Sequence, residues 1–153
     1  MTLVSAALAA LSTLIAGPGA ELASAAERLS EAVATQAAFA RSAPAQAATP
    51  LTQDNALAIG LTDISRRAMT LSIAMEYAGG PEDLRCIYRG MAIDALHHLD
   101  RLSAPGLRAD RLAIYADIEY LLDHARTIGP LADRDEIAPF TGVDPGCPRG
   151  PLT

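Results

Sequence analysis

The residues with usable chemistry lie close together near the end of one apolar-periodic stretch. Asp94, His97, His98 and Asp100 fall within a few positions of each other, and Asp117, Asp123 and His124 follow further along. Two carboxylates and an imidazole suit a divalent ion, and without one they form a hydrogen-bonded polar cluster. Spacing selects His98, Asp94 and Asp117 as the metal candidates, with Glu76 of the preceding helix within reach. A divalent metal is the one cofactor such a set admits, and no other is expected. The simpler reading makes His98 a core-edge residue whose hydrogen-bond partner is Asp94, one helical turn before it.

No established motif competes with this cluster. The chain has no glycine-rich phosphate loop ending in lysine, no GxSxG, no HExxH and no CxxC. Helical phosphotransfer domains place a basic residue three positions after an exposed histidine, then a glycine. Here His98 is followed by Arg101 without the glycine, and His97 is followed by Asp100. Arg66, Arg67, Arg85 and Arg89 could form an anion-binding patch, but eighteen acidic residues favour a solvated, ion-paired surface instead. Enzymatic activity is therefore not expected. The reading is a non-enzymatic helical interaction or adaptor protein that self-associates. A small metal-binding or enzymatic bundle with a His/Asp site is the alternative, and a histidine phosphotransfer bundle the second.

The helix that positions the cluster spans 81–103. Gly79 and Gly80 release the chain from the preceding helix, Pro81 sits in the first turn, and Glu82 and Asp83 meet the positive end of the dipole. Leu84, Tyr88, Met91, Ala95, His98 and Leu102 recur at alternating spacings of four and three, a seam for lengthwise packing on other helices. His98 is thus on the buried line, and His97, about 100° further round, faces solvent. If helix 107–128 folds back as an antiparallel hairpin near Pro105, Asp94 faces Asp117 and His98 faces Leu112. His124 then sits roughly 18 Å along the axis from His98, too far to share an ion, so a di-iron type of centre is excluded.

The remaining elements follow from the same rhythm. Helix 54–78 carries Leu57, Leu61, Ile64, Ala68, Leu71, Met75 and Ala78, is capped by Thr52 or Asp54, and contains Gly60, which marks close approach of another helix. Helix 107–128 carries Leu107, Ile114, Ile118, Leu121, Ala125 and Ile128, with Arg111 the odd member of its seam. Helix 21–41 has a narrow stripe of Leu22, Ala26, Leu29, Val33, Gln36 and Ala40 and needs a partner to be stable. Residues 1–16 are uncharged, with Val4, Leu8, Leu11 and Ile15 on one face. This predicts an apolar helix docked on the body or on a second subunit. The secretory-signal reading lacks a basic residue before the apolar run.

The expected architecture is all-α: an antiparallel helical bundle of about five helices with an irregular C-terminal arm. Its parts are an alanine-rich N-terminal hairpin (1–41), a Pro/Ala linker (42–50), a three-helix body (51–129) and an extended tail (130–153) in which Phe140 is the one large anchor. The core must be built from aliphatic side chains, since aromatics are 4% and tryptophan is absent. A net charge of −6 disfavours nucleic acid, and no segment has the roughly 20 apolar residues of a membrane span. The partners expected are a protein or a second copy of the chain. Two cysteines, Cys86 and Cys147, make no disulfide framework or metal knuckle, which places the protein in the cytoplasm. A bond between them would require an oxidising compartment.

Overall fold

The computed structural model describes residues 16–134 and Cys147. Helices α1 (Pro18–Ser42), α2 (Ala56–Ala78), α3 (Glu82–Ser103) and α4 (Arg108–Ile128) lead into a 3-10 turn at Gly129–Asp133. Strands β1 (Ala47–Ala48) and β2 (Gly106–Leu107) lie in the connections. The protein is all-α apart from this ladder, with four helices among the described residues where about five were expected. The predicted first helix (1–16), its Val4, Leu8, Leu11 and Ile15, and Phe140 of the arm lie outside the described residues, Ala16 apart.

Each helix runs antiparallel to the next, and α4 closes the ring against α1. Glu21 meets Arg67 while Leu29 meets Gly60, so position rises in α1 as it falls in α2. Glu76 pairs with Arg89, and Ser65 donates to the Ala92 carbonyl at 2.8 Å, between α2 and α3. Tyr88 reaches Ile128, and Ser30 donates to Glu119 at 2.8 Å across the α1–α4 seam. The core between them is mainly aliphatic, centred on Leu22, Val33, Leu61, Ile64, Ile118 and Leu122, with Tyr88 and Tyr115 its aromatic members.

The heptad seams are where spacing put them. On α2, Leu57, Leu61, Ile64, Ala68, Leu71 and Met75 are buried; on α3, Tyr88, Met91, Ala95, His98 and Leu102 are. The departures are at the ends: Ala78 and Leu107 are exposed, and Ala37 replaces the exposed Gln36 in the stripe of α1. Gly60 marks the contact it was expected to mark, because a Cβ there would run into the Leu29 side chain of α1. The cap of α2 is Asn55, not Thr52 or Asp54: its Oδ1 accepts the Leu57 N–H at 2.9 Å. Gly79 ends α2 in the left-handed region (φ 66°), and Gly80 donates to the Met75 carbonyl at 2.8 Å, the pairing that glycine makes cheap at a helix C-terminus.

At one end of the bundle, α1 starts against the finish of α4. Gly17 has no side chain with which to cap α1, and Asp133 does so from the far end of the described chain. Its carboxylate accepts the N–H groups of Gly19 at 2.8 Å and Ala20 at 2.6 Å, where the helix dipole favours negative charge. Gly19 and Gly129 touch backbone to backbone; a Cβ on Gly129 would come 2.7 Å from the Gly19 carbonyl oxygen. Residues 130–133, expected to open a tail, are part of this end, with Ala132 packed on the core.

At the other end, residues 42–50 form more than a linker. Ala47 pairs with Leu107 and Ala48 with Gly106, the only strand pairing among the described residues and one with no sequence pattern to announce it. The carbonyls of Gln46 and Pro44 accept the first N–H groups of α4, from Arg108 at 2.9 Å and Ala109 at 3.0 Å. Asp110 accepts the Leu107 N–H at 2.9 Å, so the N–H groups of residues 107, 108 and 109 at the start of α4 all have acceptors.

Candidate functional site

His98 is 8% exposed and packs into the core edge, as its place on the seam requires, while His97 is exposed. The partner found beside it differs from the one expected. Arg101, one turn on, stands 3.5 Å from the His98 Nδ1 and donates to the Asp117 carboxylate at 2.8 Å. Asp94 is exposed, and among the described residues it makes no hydrogen bond to His98. Asp117 lies against the turn of α3 that carries Arg101, two turns past Asp94, so the register of the α3–α4 hairpin differs from the one that set those two carboxylates level. The extended connection at Ala104–Leu107, tied sideways into the β ladder, replaces the tight reversal assumed at Pro105.

Electrostatics follow from this arrangement. Burial holds the His98 pKa below the ordinary histidine value, and the Arg101 guanidinium adds to the effect; Asp117 and Asp94 oppose it without reversing it. The imidazole is therefore neutral at neutral pH, and the positive charge beside it comes from Arg101. Among the described residues no group of three or more His, Cys, Asp or Glu side chains is placed to hold a metal ion. Glu76, the further ligand considered, faces Arg89 at 3.3 Å.

The other chemically able residues are also accounted for locally. His124 places its Nδ1 3.1 Å from the Tyr120 carbonyl, with the two rings 4.3 Å apart, and Asp123 pairs with Arg126. The histidine followed by a basic residue, His98, is buried, and the exposed His97 is followed by Asp100. Of the arginines that could have formed an anion patch, Arg66 and Arg67 both pair with Asp63, Arg67 also holds Glu21, and Arg89 holds Glu76. Asp63 titrates below the usual range: its partial burial pushes upward, and the two arginines outweigh it. Cys86 and Cys147, from which no disulfide framework was expected, are joined in a disulfide, with Cα atoms 5.2 Å apart.

Two functional groups escaped the sequence. Arg111 is 3% exposed and donates through both terminal nitrogens to the Leu102 and Ala104 carbonyls at the C-terminus of α3, the first of which also accepts the Leu51 N–H at 3.1 Å. Its signal was a charged residue on an apolar seam, which only a buried acceptor can justify. Tyr88 is fully buried and donates its hydroxyl to the Ile128 carbonyl at 2.8 Å; burial pushes its pKa up to about 12. Searches against family models, curated proteins and solved structures match nothing to this chain.

Proposed function

We propose that the protein is a non-enzymatic helical interaction module that pairs with a second copy of itself through the outer face of α2 and α3. What carries this reading is the set of large apolar side chains left uncovered there: Ile59 (57% exposed), Ile73 and Tyr77 (89%) on α2, with Ile93 and Leu96 on α3. The three on α2 fall within about 40° of one another around the helix axis, on one line that also carries the exposed Arg66 and Thr70 between Ile59 and Ile73. Between the helices, Ile59, Thr62 and Leu99 line a shallow groove that continues it. Several large apolar side chains left uncovered on one face are the kind of surface that marks an interaction site. The ion pairs Arg66–Asp63 and Arg89–Glu76 balance part of the charge on this face, and a two-fold contact would set the same patch of each copy against the other.

The Cys86–Cys147 bond favours an oxidising compartment over the cytoplasm that two scattered cysteines suggested, since such bonds persist where thiols are not kept reduced. Light scattering on the full chain tests the pairing: a dimer is expected, and an Ile73→Glu/Ile93→Glu variant should be a folded monomer with unchanged circular dichroism. A wild-type monomer at high micromolar concentration would defeat the reading. A chain starting at Ala16 that becomes monomeric while keeping this face would move the contact to residues 1–15. Alkylation before extraction, with no free thiol found, checks the compartment.

A further inference from the structure

A second feature lies at the end of the bundle where the β ladder sits. A cavity of about 240 Å³, open on one side, is bounded by the last turns of α1, the α1–α2 connection and the first turns of α4. Its lining includes Arg108, Arg111 and Tyr115 together with Phe39, Leu57 and Thr52, and no acidic residue. In a chain of net charge −6, a pocket with two guanidiniums and no carboxylate is an inversion of the surrounding charge.

The arginines are held in place without being neutralised. Arg108 lies with its guanidinium 4.0 Å from the centre of the Phe39 ring, a stacking contact that leaves its in-plane N–H groups available. Arg111, one turn further along the same helix, spends two donors on the α3 carbonyls, and a guanidinium has five. Among the described residues neither arginine is paired with a carboxylate, whereas Arg66, Arg67, Arg89, Arg101 and Arg126 all are. The Tyr115 hydroxyl likewise makes no hydrogen bond among the described residues. A largely buried cation without a counter-charge is costly unless an anion comes to it.

We propose that this cavity binds a small organic carboxylate with an apolar body. The carboxylate faces Arg108 and Arg111, the planar fork of each suiting two-oxygen recognition, with the Tyr115 hydroxyl as a further donor. The body lies against Phe39 and Leu57. The volume corresponds to roughly eight water molecules of liquid, which limits the ligand to a short chain or a single ring.

Hexanoate is the probe, with acetate (no body), hexanamide (no charge) and inorganic phosphate as comparisons, each titrated into the full-length protein and followed by amide resonances. Saturable shifts centred on Phe39, Thr52 and Tyr115 are expected for hexanoate, with hexanamide and acetate at least tenfold weaker. Arg108→Gln should weaken hexanoate about tenfold, and Tyr115→Phe about threefold. Arg108 lies at the rim, so its loss leaves the core intact; should that variant not fold, Tyr115→Phe and the hexanamide comparison decide. Equal binding of hexanoate and hexanamide, saturation by phosphate in preference to hexanoate, shifts elsewhere, or absence of saturation would each overturn the assignment.

Discussion

Where α1 begins and α4 finishes, the bundle is closed by backbone: Gly19 rests on Gly129, Asp133 caps α1, and the Tyr88 hydroxyl takes the Ile128 carbonyl. Where α3 finishes and α4 begins, long side chains and a connecting segment do the same job. Arg111 reaches two carbonyls of α3, the residues around Ala47 satisfy the first amides of α4, and a cavity is left between them. Both ends must satisfy the polar groups that a helix terminus leaves without partners. The glycine end leaves no space and so tolerates no added atom. The arginine end leaves room beside a charge, a ligand-sized opening next to the buried Arg111.

The contrast is broken most directly by filling the tight end. Gly19→Ala puts a Cβ against the Gly129 carbonyl, backbone on both sides, and should cost about 3 kcal/mol or more, the upper range for overpacking. Denaturant unfolding measures it. Gly90 is the control: a Cβ there meets nothing within 4 Å, so Gly90→Ala should not destabilise the protein. If both glycines tolerate alanine equally, the end is not closed by backbone contact.

Next in size is Arg111→Met, which keeps the apolar stem and removes the donors to Leu102 and Ala104. A loss of about 2 kcal/mol is expected, at the level of charge-assisted hydrogen bonds, moderated because the Leu102 carbonyl keeps the Leu51 N–H and water from the cavity can reach that of Ala104. A loss larger than that of Gly19→Ala would make the cavity end the more tightly built of the two.

The smallest effect belongs to Tyr88→Phe, about 1 kcal/mol at neutral pH from one buried hydrogen bond. Its pH dependence is the sharper reading. In the unfolded chain the phenol ionises near 10, and in the fold only at about 12. Above pH 10 the unfolded state therefore loses its proton first, and stability falls as pH rises towards 12. The phenylalanine variant should lack that share of the alkaline slope, measured by urea melts between pH 9 and 11.5.

Sequence periodicity located α2 and α3 because their apolar residues repeat without interruption, and the same rhythm told His98 from His97. The boundaries came from glycine and proline chemistry at Gly79–Pro81 and so were also legible. What the rhythm did not contain was any relation between distant segments. Asp133 sits more than a hundred residues from the amides it caps, and Ala47 meets Leu107 through backbone groups that every residue possesses. The partners within the candidate cluster depended on the same kind of relation. Helical spacing placed Asp94 correctly relative to His98 along one helix, but the stagger of α4 decides what Asp117 faces, and that is Arg101. Arg111 was visible as an anomaly on its seam, and its acceptors were not.

The Asp133 cap also orders events during synthesis. Of the described helices α1 leaves the ribosome first, yet the carboxylate that satisfies its opening amides is made 113 and 114 residues later. Until then the start of α1 has no side-chain cap of its own, because Gly17 offers none, and its stripe has no α4 to lie on. The first of the described helices to be translated thus receives its cap only after α4 has been made, and a ribosome stalled before position 133 would present α1 with a frayed first turn.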